Sequence, residues 1–228
     1  MTEKGARTVV ITGSSEGIGR EAAFRFSREG WNVVLTYHKD EEEGIEAKAK
    51  CSALGAKSSL LLQLDLSDPS SIRKAVDGIK GIFGKVTILV NNAGIDVWKP
   101  LRDQTPEEVS RQVRTNLEGL IIMTLEMLPL VEGMILNVGS RAGIVGYSGI
   151  TVYSATKAGI RGFTRSLAQE ERNLKVYTIY PGYTSTQMTG FHGDSPQKVA
   201  DLIFDTANGR YDLPSGSDIP VWDPIGGV

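Results

Sequence analysis

Thr8-Val-Val-Ile-Thr-Gly13-Ser-Ser-Glu-Gly17-Ile-Gly19, followed one helix later by Asn32-Val-Val-Leu-Thr-Tyr37, decides the architecture of this chain. Thr8 to Thr12 is a β-branched run of strand length, and the glycines after it end the strand in a turn. Ile18 to about Glu29 reads as a helix closed by Gly30, and Asn32 to Tyr37 as a second apolar strand. Backbone N–H groups at a helix start favour an anion, and the glycines let a phosphate approach. A bare tight turn has the same local pattern. The second strand completes a β-α-β unit and shifts the reading to a dinucleotide site over Gly13, Ser15, Glu16, Gly17, Ile18 and Gly19.

Strand-like and helix-like segments keep alternating outward from this unit. A helix through about Leu54 precedes the strand Ser59 to Leu64, and a helix ending near Phe83 precedes the strand Val86 to Val90. Pro106 to Leu128 reads as one long helix with Val109, Val113, Leu117, Leu120, Thr124 and Leu128 on a single face, which Asn116 interrupts. Met134 to Val138, Val176 to Tyr180 and Ser217 to Trp222 read as strands, and Thr151 to Glu171 and Pro196 to Ala207 as helices. Pro220 suits an edge strand because it cannot donate to a ladder. The prediction is α/β: a Rossmann-type, doubly wound, mainly parallel seven-stranded sheet with helices on both faces, in one domain over 1–228.

Composition narrows the partners. The 228 residues are 40% hydrophobic, enough for one sizeable core. Lys plus Arg number 25 against 27 Asp plus Glu, so charge gives no case for nucleic acid or an anionic membrane. Cys51 is the only cysteine, so no intrachain disulfide forms, and it reads as a small apolar helix residue. The apolar runs fall short of a membrane span, and Met-Thr-Glu-Lys-Gly-Ala-Arg at the start lacks the apolar core of a leader, so the expectation is a cytoplasmic protein.

Chemistry concentrates between Gly139 and Lys157. If Thr151 to Glu171 is helical, Tyr153 and Lys157 at i, i+4 share a face. An ammonium about 4 Å from a phenol, at an effective dielectric of about 20, supplies on the order of 4 kcal/mol. That matches what is needed to bring a phenol from ~10 towards ~7. Ser140 leaves the strand ending at Val138, and the turns around Gly143, Gly146 and Gly149 can return its hydroxyl to the phenol. A lone Tyr-x-x-x-Lys is most often an ordinary helix surface. Here it stands with ordered companions.

Ser140, Tyr153 and Lys157, together with Thr12-Gly13-Ser-Ser-Glu-Gly17-Ile-Gly19 and Asn91-Asn92-Ala93-Gly94, resemble the motif set of the short-chain dehydrogenase/reductase family in its compact single-domain form, from about residue 7 to the C-terminus. The resemblance implies hydride transfer between C4 of a nicotinamide and a carbonyl or alcohol carbon. It implies Tyr153 as general acid, Ser140 holding the same oxygen, Lys157 tuning the phenol and bonding the nicotinamide ribose, and Asn116 as the fourth catalytic residue in a proton path. It also implies contacts from Asp65 and Leu66 to adenine, from Asn92, Ala93 and Gly94 to the adenosine ribose, and from Pro181, Gly182, Thr184 and Thr186 to the nicotinamide amide. Tyr177 and Thr184 depart from residues the family often has there.

Tyr37 matches a position where NAD-preferring members carry an acid, and His38 and Lys39 follow it, so NADP(H) is favoured; Glu16 argues for NAD(H), because many NADP members have a cation there. The resemblance makes Tyr183 to Ser195 a short substrate lid, with Gly190 and Gly193 giving it mobility. Trp98, Tyr147, Tyr183, Met188 and Phe191 are candidate substrate contacts, with no evident cationic clamp and no metal site. A small uncharged carbonyl compound is therefore expected. A 3-oxoacyl thioester reductase, a non-catalytic dinucleotide sensor and a non-redox epimerase or dehydratase are the alternatives. Ala155, Gly159, Gly162 and Ser166, with Ile121, Ile122 and Met123, point to self-association as a homodimer or homotetramer.

Overall fold

The computed structural model describes residues 7–226. The start of the chain, where no leader is expected, and the last two residues of the expected 1–228 domain lie outside the described residues. Strands β1 (Thr8–Ile11), β2 (Asn32–Tyr37), β3 (Ser58–Gln63), β4 (Val86–Asn91), β5 (Val131–Val138), β6 (Lys175–Tyr180) and β7 (Asp218–Pro220) form a seven-stranded sheet in the order β3-β2-β1-β4-β5-β6-β7. Every pairing is parallel, and Pro220 lies on an edge strand. The order reverses between β1 and β4, which opens a crevice at the carboxyl ends of those strands.

Alternate strand residues feed two cores, as the period of a strand requires. Val9, Ile11, Val33, Leu35, Val90 and Ile179 face α1 (Gly17–Ser27), α2 (Glu41–Ala53) and α7 (Pro196–Ala207), where Phe26 packs edge-on to Trp31 and Phe204. Val10, Val34, Leu89, Ile135 and Val176 face α3 (Pro69–Phe83), α5 (Gly119–Met127) and α6 (Thr151–Glu170). Asp68 and Pro69 start α3 as cap and first residue, with the Asp68 carboxylate accepting from Ser70 N–H. Asn91 Nδ2 donates to Asn137 Oδ1 at 2.8 Å and Thr124 Oγ1 at 2.9 Å, and Asn137 Nδ2 donates to Thr164 Oγ1, so a buried amide chain ties β4 and β5 to α5 and α6.

The single helix expected over Pro106 to Leu128 is interrupted. An α-helix, α4 (Pro106–Val113), gives way to a π-helical turn, Arg114–Glu118, before α5 begins. The wider turn shifts the buried stripe. Gln112 and Asn116 are wholly buried while Val113 is 39% exposed, and the core continues through Leu120, Met123, Thr124 and Met127. Packing is close just after the turn, where a side chain at Gly119 would run into the Leu66 carbonyl. Met123, expected to widen an outer apolar surface, belongs to the core.

Candidate active site

A cleft of about 820 Å³ runs along the carboxyl ends of the strands. Its dinucleotide end is built from backbone. Gly13 and Gly17 have φ of 62° and 55°, in the left-handed region that glycine enters without strain. Gly19 is buried beneath the turn, where any side chain would collide with the Gly13 carbonyl and the Asn92 amide. Asn92 Nδ2 donates to the carbonyls of Thr12 and Gly13 at 3.0 and 2.9 Å, which fixes the turn from below. Glu16 precedes α1 without capping it, so no side chain takes up the first N–H groups of the helix. Burial, then the charges of Glu43 and Asp40, raise the Glu16 carboxyl, while Arg20 lowers it. The Gln187 amide, turned with its nitrogen towards that carboxylate, donates to Glu16 Oε2 at 2.6 Å.

The other ribose-side candidates divide. His38 and Lys39 line the cleft with Ser15, Ile18 and Leu66. Tyr37 does not: burial, then Glu41 of α2, raise its phenol, and its Cβ lies 3.4 Å from where a side chain at Gly44 would begin. Asp65 Oδ1 accepts from Ser67 N–H and Oγ–H at 2.8 and 2.7 Å, and Oδ2 lies 3.4 Å from His38 Nε2. Burial pushes the Asp65 carboxyl up, but the Ser67 bonds and His38 outweigh it and hold the group below the ordinary carboxylate range. Glycine backbone, open helix N–H groups and an anchored carboxylate together fit a nicotinamide dinucleotide.

The catalytic candidates meet at the other end. Ser140 follows β5, Tyr153 and Lys157 share a face of α6, and all line the cleft. The Ser140 hydroxyl accepts from Ala142 N–H at 3.1 Å and lies close enough to the Tyr153 phenol to favour its ionised form, the return that the turns around Gly143 predict. Gly143 makes it possible, because a side chain there would press on the Lys157 backbone at 2.6 Å. Lys157 is buried and donates to the Val138 carbonyl at 2.8 Å, with Nζ 5.6 Å from the centre of the Tyr153 ring. The expected lowering of the phenol is not what this geometry gives. Burial pushes Tyr153 up to about 12, the neighbouring Ser140 hydroxyl opposes that, and the Asp96 charge adds to it; burial brings Lys157 down to about 8. Burial disfavours the charged form of each group, and at both it is the largest influence.

Asn116 stands behind the cleft wall. Its Oδ1 accepts from Ile95 N–H at 2.8 Å, and its Nδ2 donates to the Ile95 carbonyl at 2.7 Å and Thr156 Oγ1 at 3.3 Å. A side chain at Gly94 would meet Asn116 Oδ1 at 3.3 Å and Lys157 Nζ at 3.6 Å, so this glycine lets the two polar groups approach one another.

Pro181, Gly182, Thr184 and Thr186 line the cleft, as do Asn92, Ala93 and Gly94. The segment 183–195 closes on itself: Asp194 N–H donates to the Tyr183 carbonyl and Ser185 N–H to the Asp194 carbonyl, both at 2.8 Å, with a short turn, Gln187–Thr189, between. Gly190 and Gly193 take positive φ within this bonded loop. Trp98, Tyr147, Tyr183 and Met188 line the cleft, whereas Phe191 is 72% exposed and turned away from it.

Several lining side chains were not legible as site residues, and three of them are charged. Arg111 and Arg141 put cations on a wall expected to have none, and Asp96 puts a carboxylate near Tyr153. Arg141 directly follows Ser140, and Asp96 follows Asn91-Asn92-Ala93-Gly94 by one residue, so adjacency to a motif was the available signal. Among the described residues no group of His, Cys, Asp and Glu is arranged to hold a metal ion, and no helix is long and apolar enough to cross a membrane.

The sequence profile of the short chain dehydrogenases matches residues 7–196. The 3-oxoacyl-[acyl-carrier-protein] reductase FabG of Staphylococcus aureus is 33% identical over 192 residues, 82% of this chain and 78% of that one. Carbonyl reductase family member 4 of Danio rerio is 35% identical over 189 residues, covering 81% and 78%. A short chain dehydrogenase from Burkholderia cenocepacia J2315, solved in complex with NADP, superposes with a TM-score of 0.88 at 28% identity, over 96% of this chain and 97% of that one. Levodione reductase gives 0.87 at 25% identity, over 94% and 95%. Motif order, sheet order and these likenesses agree: the chain belongs to the short-chain dehydrogenase/reductase family of nicotinamide-dinucleotide-dependent oxidoreductases.

Proposed function

We propose that this protein reduces compact, uncharged ketones and aldehydes, with NADPH preferred over NADH and with Tyr153 as proton donor. The observation that carries the reading is the meeting of Ser140, Tyr153 and Lys157 at one end of a cleft whose other end suits a dinucleotide. When bound, the reduced nicotinamide supplies the hydride. Tyr153, held protonated by burial, gives its proton to the oxygen that becomes the alcohol. Ser140 donates to the same oxygen, and the Lys157 ammonium favours the phenolate left behind. Asn116 holds the Ile95 backbone beside them and joins a proton path through Lys157. One domain carries the whole site, with 183–195 as its lid. His38 and Lys39 at the ribose end support NADPH, against the carboxylates of Glu16 and of Asp65, which lies beside His38.

A second reading, reduction of 3-oxoacyl thioesters, is favoured by the names of relatives at 33% identity and by Arg111 and Arg141 on the cleft wall. One panel separates them. Purified protein is given aryl ketones, alicyclic ketones and acetoacetyl thioester with each cofactor, and loss of reduced nicotinamide is followed by absorbance. The expected result is the highest kcat/KM with a small aryl or alicyclic ketone and NADPH. Far more efficient reduction of acetoacetyl thioester would move the assignment to the second reading, and cofactor binding without any turnover would make the protein a sensor.

A further inference from the structure

Asp96 is a carboxylate that the proposed chemistry does not use. It follows Ile95, whose N–H and carbonyl are both bonded by Asn116, so it is carried on fixed backbone. It is half-buried, lines the cleft, and lies close enough to Tyr153 for its charge to bear on the phenol. Among the described residues it makes no ion pair. Lys157 is turned to the Val138 carbonyl, and Arg141 lies 5.7 Å from the centre of the Trp222 ring. Trp98, Tyr147 and Ile150 supply apolar wall in the same cleft. The other acids of that cleft, Glu16 and Asp65, are held by Gln187 and by Ser67 and His38.

The Asp96 carboxylate accepts from its own backbone N–H. A carboxylate accepts and never donates, and a partly desolvated one that no cation pairs has lone pairs left for a ligand that brings a donor. We propose that Asp96 is a specificity-determining residue that receives a hydroxyl or ammonium group on the carbon next to the substrate carbonyl. The inference rests on carbonyl reduction as the activity, and it widens the substrate class proposed above from uncharged ketones to those with one ammonium beside the carbonyl. Hydride adds to the carbonyl carbon and the Tyr153 proton to its oxygen, giving a vicinal diol or amino alcohol while the donor group stays on Asp96. An alkyl group in its place leaves the carboxylate unpaired, and sites built for a donor discriminate strongly against analogues that lack one.

An isosteric trio tests this: 2-hydroxyacetophenone, 2-aminoacetophenone bearing its amine on the side chain, and propiophenone. With NADPH, the wild-type kcat/KM should favour the first two over propiophenone by about tenfold or more, the range of a hydrogen bond to a charged group. Asp96→Leu should abolish that part of the preference, and Asp96→Asn should retain some preference for the hydroxyl while losing that for the ammonium. Intrinsic activation by the substituents cancels in the comparison of variant with wild type, and NADPH binding checks that each variant is folded. Wild type without preference, or a preference unchanged in both variants, would overturn this inference alone. Reduction of none of the three would overturn the carbonyl reading as well.

Discussion

Lys157 shows what the site does to a single residue. Its ammonium is buried with one carbonyl partner, and burial brings it down to about 8 from 10.5. The unfolded chain therefore binds more protons than the folded one between those values, so this residue makes stability rise with pH across that window. At neutral pH both states are protonated and the penalty is present in full, on the order of 3 kcal/mol at about 1.4 per unit. Lys157→Met should then raise unfolding stability at pH 7 by about 1–2 kcal/mol, after the lost bond to Val138 is counted, while abolishing turnover. The gain should shrink by pH 10. Urea unfolding at the two pH values reads this directly, and a methionine variant less stable at pH 7 would contradict it. The same logic keeps Tyr153 protonated, since burial holds it up to about 12. Proximity at i, i+4 was visible in the sequence, but the depth of burial that reverses its effect on the phenol was not.

At the scale of elements, β2 and α7 were legible to the residue, because β-branched and apolar runs bounded by glycine, proline and asparagine fix local structure on their own. Ser140, Tyr153 and Asn92 were legible for a related reason: each sits at a strand end or on a helix face whose position the alternating pattern sets. The π-helical turn at Arg114–Glu118 was not legible. It is accompanied by non-local contacts, the Asn116 bonds to Ile95 and the approach of Gly119 to Leu66, and periodicity within one segment carries no trace of either. Tyr37 is absent from the cleft lining and has Glu41 of α2 as a neighbour, which the strand pattern alone does not reveal. The lid segment is another case. Its glycines read as slack, yet Gly193 has φ of 113° and lies against the Tyr183 carbonyl, closing a turn.

For the whole molecule, the face formed by α5 and α6 stays uncovered. Leu125 is 62% exposed and Ile121 37%, Ala155 and Ser166 are exposed, and a side chain at Gly162 would meet nothing within 4 Å. Small residues beside exposed aliphatic ones suit close helix pairing across a two-fold axis. Sedimentation should give at least a dimer, and Gly162→Arg should release a folded monomer, because no contact within the chain opposes the new side chain. A wild-type monomer mass independent of concentration would contradict the proposal. Such an assembly would leave the cleft free, since the cleft opens at the strand ends and not on the outer face of those helices. The account as a whole depends on one proton. The direct test is Tyr153→Phe, which removes the phenolic oxygen and keeps the ring, measured for NADPH binding by fluorescence and for ketone reduction by absorbance. The account predicts binding within about threefold of wild type and turnover reduced by at least about 10²–10⁴-fold, the range for loss of a general acid. Turnover close to wild type in a variant that still binds NADPH would contradict it.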